Sequence, residues 1–161
     1  MKIRKTTMDD LSEVIEMYSN ARKFMAEHGN PNQWGNSKPS KELIVSDIEN
    51  GISYVCEEGK KLLAVFCYME GPDPTYKVIE DGQWVNDEPY SVVHRITSTG
   101  KVKGTASYCI KNALLKCGNL RMDTHKDNYI MQSLLTKLGF TYCGIIHVED
   151  GSERMAYQKT L

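Results

Sequence analysis

Long apolar runs are missing from this chain. No segment approaches the roughly 20 apolar residues that a membrane-spanning helix needs, and the opening MKIRKTTMDDLSE has no apolar core of signal-peptide length. The expectation is a cytoplasmic protein with no membrane partner. Charge excess is missing too: a formal net charge of -1 gives none of the strongly basic surface that nucleic-acid binding normally requires. The five cysteines, Cys56, Cys67, Cys109, Cys117 and Cys143, are odd in number and include no C-x-x-C pair. They read as reduced core thiols, not as a disulfide framework or a zinc site. Repeats and low-complexity tracts are also absent. What is present is 161 residues, 40% hydrophobic and 25% charged, which suits one globular domain, 1–161, around a single core and leaves no room for a second.

Periodicity divides that domain. Lys2 to Lys5 reads as a strand, and Thr7 with Asp10 resembles a capping box. Leu11, Val14, Ile15, Tyr18, Ala21 and Met25 then recur at helical spacing, and the helix is expected to end near His28-Gly29. A loop through Gln33, Trp34 and Gly35 leads to a second helix, about Ser40 to Asn50. Ile52 to Glu57 and Lys61 to Glu70 form a hairpin about Gly59. Gly71 to Pro89 interrupts the pattern as an insertion. After it come an alternating strand from Tyr90, a helix from Thr105 to about Cys117, a short strand at Leu120 to Asp123, and a helix from Asn128 to Leu138 capped by Gly139. Phe140 to Val148 and Arg154 to Gln158 close the chain as a hairpin.

The densest chemical signal is the stretch from Tyr90 to Ala106, where a strand runs into the loop Lys101-Val102-Lys103-Gly104-Thr105-Ala106 and the loop opens a helix. The first N–H groups of a helix lack internal partners and the helix dipole adds positive potential, so such a junction holds an anion. Gly104 has no Cβ to keep that anion away, and Lys101 and Lys103 add charge.

The order of elements and this loop resemble the GCN5-related N-acetyltransferase superfamily, whose acetyl-CoA loop reads [Q/R]-x-x-G-x-[G/A]; here lysine stands first. Asn128, Lys137 and Gly139-Phe140 agree with a second family block, N-x-x-A-x-x-L-Y-x-K-x-G-F. Gln33-Trp34, His94-Arg95 and the segment from Asp123 to Asn128 also resemble a bacterial acetyltransferase subgroup. The resemblance implies an α/β (α+β) acyl-CoA N-acyltransferase fold: a mixed, mostly antiparallel sheet, splayed between the fourth and fifth strands and flanked by four helices. It implies acetyl-CoA as co-substrate and a small-molecule amine as partner, and it is compatible with a homodimer. The pyrophosphate would rest on backbone from Val102 to Ala106, with Lys101 and Lys103 screening its charge. The pantetheine arm would pair with Ile96, Thr97 and Ser98, and Asn128 would hold that arm.

Transfer needs a neutral amine, whereas an amine of pKa about 10 is almost wholly protonated at neutral pH. Alternation puts Tyr90, Val92, His94 and Ile96 on one strand face, so His94 is the candidate base, or else a hydrogen-bonded core histidine. The tyrosine that many relatives use as general acid is Leu135 here, which leaves Tyr90, His125 or water to protonate the thiolate. It also leaves open a sensor domain that binds an acyl-CoA without turnover. On the acceptor side, the first two helices and the insertion offer Trp34, Tyr76 and Trp84. Between Glu70 and Tyr90, six acids against Lys77 alone (net -5) suit a cationic amine, or simply a solvated loop. Asp123 and His125, at the end of the fifth strand, either meet substrate or cap the turn that follows. With His94 they match no known zinc motif, and no metal is expected.

Overall fold

A computed structural model describes residues 1–161. The strands are β1 (Lys2–Lys5), β2 (Ser53–Glu58), β3 (Lys61–Glu70), β4 (Ser91–Ser98), β5 (Asn119–Thr124), β6 (Thr141–His147) and β7 (Glu153–Thr160). The helices are α1 (Leu11–Glu27), α2 (Lys41–Glu49), α3 (Thr105–Cys117) and α4 (Tyr129–Lys137). All seven strands form one sheet in the order β1-β2-β3-β4-β5-β7-β6. Every neighbouring pair is antiparallel except β4 and β5, which are parallel and paired only at Ser91–Leu120 and Val92–Arg121. Beyond Val92 the two strands part. This is the expected fold, splay included.

Local chemistry explains the helix starts. The Asp10 carboxylate accepts the Thr7 N–H at 2.8 Å, the Ser40 hydroxyl accepts from Leu43 N–H at 3.2 Å, and Asn128 Oδ1 accepts from Met131 N–H at 3.0 Å. α3 differs, because Gly104 stands at its N-cap with φ 80° and supplies no side-chain cap. The first N–H groups of α3 therefore stay available to an outside acceptor.

α3 and α4 cover one sheet face, burying Val93, Ile110, Leu120, Met122, Leu135 and Phe140 together. On the other face α1 and α2 cover the β2–β3 half through Val14, Tyr18, Ile44 and Ile48. The insertion covers the rest, and so is more than a solvated loop. A 3-10 turn at Pro74–Tyr76 buries Tyr76 with Val92, Cys143, Ile146 and Ala156, and Glu80 bridges to Ile145. Contact is tight where the insertion meets β6: a Cβ on Gly82 would lie 1.9 Å from the Cys143 carbonyl oxygen. Gly82→Ala should therefore loosen the insertion, costing about 1–3 kcal/mol as overpacking does. The expected readouts are a lower melting temperature and faster reaction of the buried Cys143 thiol. Unchanged values would mean that the backbone yields freely there.

One expectation fails in β4. Val65 pairs with Thr97 and Cys67 with His94, so Arg95 and Ile96 together oppose a single β3 residue, Phe66. This is a β-bulge, with Arg95 at φ 53°. It resets the alternation. His94 faces the insertion, Arg95 turns to α2 on that same side, and Ile96 packs into the α3–α4 core. His94 and Ile96 do not share a face.

Candidate active site

A cleft of about 570 Å³ opens between α1, the tail of β4 and the start of α4. Ile96, Thr97, Ser98, Lys101, Ala106 and Asn128 line it, which unites six of the residues expected around the co-substrate. Val102, Lys103, Gly104 and Thr105 are not in its wall; they form the turn at its end, where the Thr105 hydroxyl donates to the Val102 carbonyl at 2.8 Å. Along one edge Thr97 and Ser98 pair with Val65 and Ala64 of β3, while their other edge, beyond the β4–β5 pairing, has no strand beside it. Main-chain donors and acceptors there are free to meet an extended ligand.

Asn128 is more committed than expected. Besides capping α4, its amide Nδ2 donates to Gln33 Oε1 at 2.8 Å, which also accepts from Asn30 Nδ2 at 2.9 Å. The Gln33 carbonyl in turn accepts from Arg154 Nη2 at 3.1 Å, so Gln33 ties the α1–α2 loop to α4 and β7. Trp34 stands edge-on to Tyr18, with ring centroids 5.5 Å apart, against the α1–α2 core.

At the β4–β5 split, β4, β5 and the insertion bring four side chains together. His94 Nε2 lies 2.7 Å from Asp73 Oδ2, and His94 Nδ1 lies 3.6 Å from Asp123 Oδ2. Tyr76 donates its hydroxyl to that same Asp123 oxygen at 2.6 Å. Asp73 Oδ1 accepts from the Thr75 N–H and hydroxyl, which fixes the carboxylate at the start of the 3-10 turn. Burial opposes ionisation of Asp73, but the hydrogen bonds from His94 and Thr75 outweigh it and hold the carboxyl at about 2, below the ordinary 3.8. A depressed carboxylate pKa stabilises the fold above the unfolded value, and that contribution is lost as pH falls through the folded one. The acid side of the stability curve between pH 3.8 and about 2 should therefore flatten in Asp73→Asn. An unaltered acid limb would show that Asp73 gains nothing on folding.

The other candidates take structural places. Tyr90 accepts the Asp73 N–H on its hydroxyl at 2.8 Å and lays its ring over the Arg121 guanidinium, 4.0 Å from the centroid. Trp84 also packs on the Arg121 guanidinium, at 4.1 Å, and donates Nε1–H to the Tyr76 carbonyl. Tyr76 itself is 1% exposed. These rings hold the insertion in place and do not form an aromatic rim. His125 Nδ1 accepts the Asp127 N–H at 3.0 Å, which is the capping alternative, and burial together with Arg154 lowers its pKa. No group of three or more His, Cys, Asp or Glu side chains is disposed to hold a metal ion. Leu135 is fully buried in the core and lies outside the cleft wall.

Two residues that the sequence reading missed complete the site. Asp47 of α2 receives Arg95 Nε and Nη2, each at 3.0 Å, and the Cys67 thiol at 3.2 Å. Asp73 is the other; its Asp-Pro context is an N-cap signal for the turn at Pro74, but nothing local names His94 as its partner.

No family model and no curated protein matches the chain. Solved structures do. An acetyltransferase of the GNAT family from Streptococcus agalactiae is 29% identical, with a TM-score of 0.91 over 99% of this chain and 95% of that one. A GNAT-family acetyltransferase from Listeria monocytogenes is 18% identical, with a TM-score of 0.72 over 99% and 94%. The NatC complex bound to Gag peptide and CoA includes a chain with a TM-score of 0.64 at 10% identity, over 100% and 99%, which is a likeness of fold alone.

Proposed function

Because the chain belongs to the GCN5-related N-acetyltransferase superfamily, we propose that it transfers the acetyl group of acetyl-CoA to the amine of a small cationic acceptor. The observation that carries this reading is the free edge of β4 beyond Val92, which runs along the cleft from the bulge to the uncapped start of α3. An extended pantetheine arm would pair with Ile96, Thr97 and Ser98 on that edge. The pyrophosphate would meet the first N–H groups of α3, with Lys101 and Lys103 contributing charge. The thioester would then lie at the splay, with His94 proposed as the base beside it. Acetyl-CoA supplies the activated carbonyl; the protein supplies position and removal of a proton.

Tyr90 and His125 are both engaged elsewhere, and the thiolate is a fair leaving group because a thiol has a pKa of about 8–9. Water in the cleft returns its proton. The buried Leu135 is not a gap in the cleft wall, so its lack of a hydroxyl gives no support to a sensor without turnover. Release of free thiol from acetyl-CoA with a panel of amines tests the reading, and binding without release on any amine would sink it.

Gly104→Val tests the co-substrate half alone. A Cβ there meets nothing within 4 Å, so the change fills open space above the turn, at a φ of 80° that valine resists. Acetyl-CoA binding should weaken at least about tenfold, roughly 1.4 kcal/mol, by calorimetry. Unaltered affinity would remove the loop from the site.

A further inference from the structure

This inference rests on the acetyltransferase reading and specifies the acceptor and the path of its proton. We propose that Asp73, His94 and Asp123 form a site for an aliphatic ammonium, in which Asp73 positions His94 as the base and Asp123, held by Tyr76, receives the ammonium.

The two sides of the imidazole differ. The 2.7 Å contact between Nε2 and Asp73 is a short charge-assisted hydrogen bond, whereas the 3.6 Å separation of Nδ1 from Asp123 is too long for one. Asp73 is ionised at neutral pH and can only accept, so the proton of that bond sits on Nε2. A neutral ring then directs its lone pair, on Nδ1, toward Asp123. An ammonium seated beside that pair donates to Nδ1 and to the other Asp123 oxygen, Oδ1. Geometry prepares that place, since His94 and Asp123 stand on the two lips of the β4–β5 split just past the last paired residues. The imidazole is 21% exposed, and the Tyr76 hydroxyl holds one Asp123 oxygen while no protein donor meets the other. Charged or titratable groups around the ring are Asp73 and Tyr76 from the insertion, Asp123 from β5 and Cys67 across on β3. Tyr90 lies behind Asp73, and Arg154 acts on Asp123 from β7. Two carboxylates, Asp73 and Asp123, flank the imidazole, which favours a cation over a neutral aromatic amine.

The proton path follows. The ammonium gives one proton to Nδ1, and its freed lone pair attacks the thioester carbonyl carbon. The C–N bond forms and the C–S bond breaks. The proton that nitrogen sheds in becoming an amide passes through water to the thiolate, and the imidazolium returns its own proton to solvent. Asp73 touches neither reacting atom and is a positioning residue.

The test uses the full chain with acetyl-CoA, aliphatic mono- and diamines, and aniline as a neutral comparator, read by thiol release. Aliphatic amines should exceed aniline at least about tenfold in kcat/KM. Asp123→Asn should raise KM for the aliphatic amine by a similar factor and erase the preference. In Asp73→Asn the oxygen can still accept from Thr75, but the amide donates to Nε2 and moves the ring proton to Nδ1. That should lower kcat about 10²–10⁴-fold at unchanged acetyl-CoA affinity. Nitrogen NMR of the imidazole reads the same event without turnover, with Nε2–H expected in the wild type and Nδ1–H in Asp73→Asn. Turnover with an unaltered kcat in Asp73→Asn, or a wild-type ring protonated only on Nδ1, overturns the positioning role. Equal KM in Asp123→Asn, or preference for aniline, overturns the ammonium site. Acetyl-CoA binding with no release on any amine overturns the acceptor reading itself, and this inference with it, a failure distinct from the other two.

Discussion

Asp47→Ala is expected to destabilise the fold by about 3–5 kcal/mol, the usual cost of leaving one member of a buried ion pair without its partner. Asp47 is 5% exposed, and its carboxylate satisfies two guanidinium N–H groups of Arg95 and the Cys67 thiol. Burial, opposed by Arg95, pushes the Cys67 thiol up to about 12, so the thiol stays a neutral donor and the pair keeps its single negative partner. The consequence reaches the site, because Arg95 is the bulged residue. Holding a non-glycine residue at φ 53° costs roughly 1–3 kcal/mol, and the surroundings must over-determine it. They do so through the Asp47 pair and through the Tyr18 hydroxyl, which donates to the Arg95 carbonyl at 2.7 Å. Without Asp47 the strand can recover regular alternation, and Ile96 would then leave the cleft wall. Denaturant unfolding should show the loss of stability, and calorimetry should show weaker acetyl-CoA binding at temperatures where the variant is folded. A cost below about 1 kcal/mol, the worth of an exposed pair, would mean that the bulge stands without Asp47.

Elements were legible where their signal is local. Helix stripes such as Met131, Leu134 and Leu138 and the glycine stop at Gly139 carry their own period, and their bounds differ from the observed ones by only a few residues. The Gly104 turn that opens α3 was legible for the same reason, since a glycine at a strand-to-helix junction acts on its immediate neighbours. The bulge was not. Its cause is a contact between Arg95 and Asp47, 48 positions apart, and strict alternation is the only rule a single strand supplies. The insertion was misread through the same lack of distant partners. Tyr76 and Trp84 look like loop aromatics until Val92, Cys143 and Arg121 are brought beside them. His94 stood out by residue type alone, whereas its neighbours, Asp73 on one nitrogen and Asp123 near the other, lie on two segments 21 positions before it and 29 after.

His94→Gln should lower kcat by about 10²–10⁴-fold with acetyl-CoA affinity almost unchanged, the usual size of an acid–base contribution. Glutamine is a close test, because its amide N–H can still donate to Asp73 Oδ2 and preserve the contact that anchors the insertion. It has no basic nitrogen to take the ammonium's proton. The cleft side should be indifferent, since the bulge turns Ile96 away from position 94 and into the α3–α4 core. A histidine that only packed would behave otherwise: its loss would lower the melting temperature and reduce the rate only as folded protein disappeared. The pH profile of kcat/KM separates the cases further. An acidic limb that belongs to the imidazole vanishes in the variant, whereas one that belongs to Asp73 or Asp123 survives. Retention of both rate and limb in His94→Gln would show that His94 is not the base, and would assign proton removal to water held by Asp123.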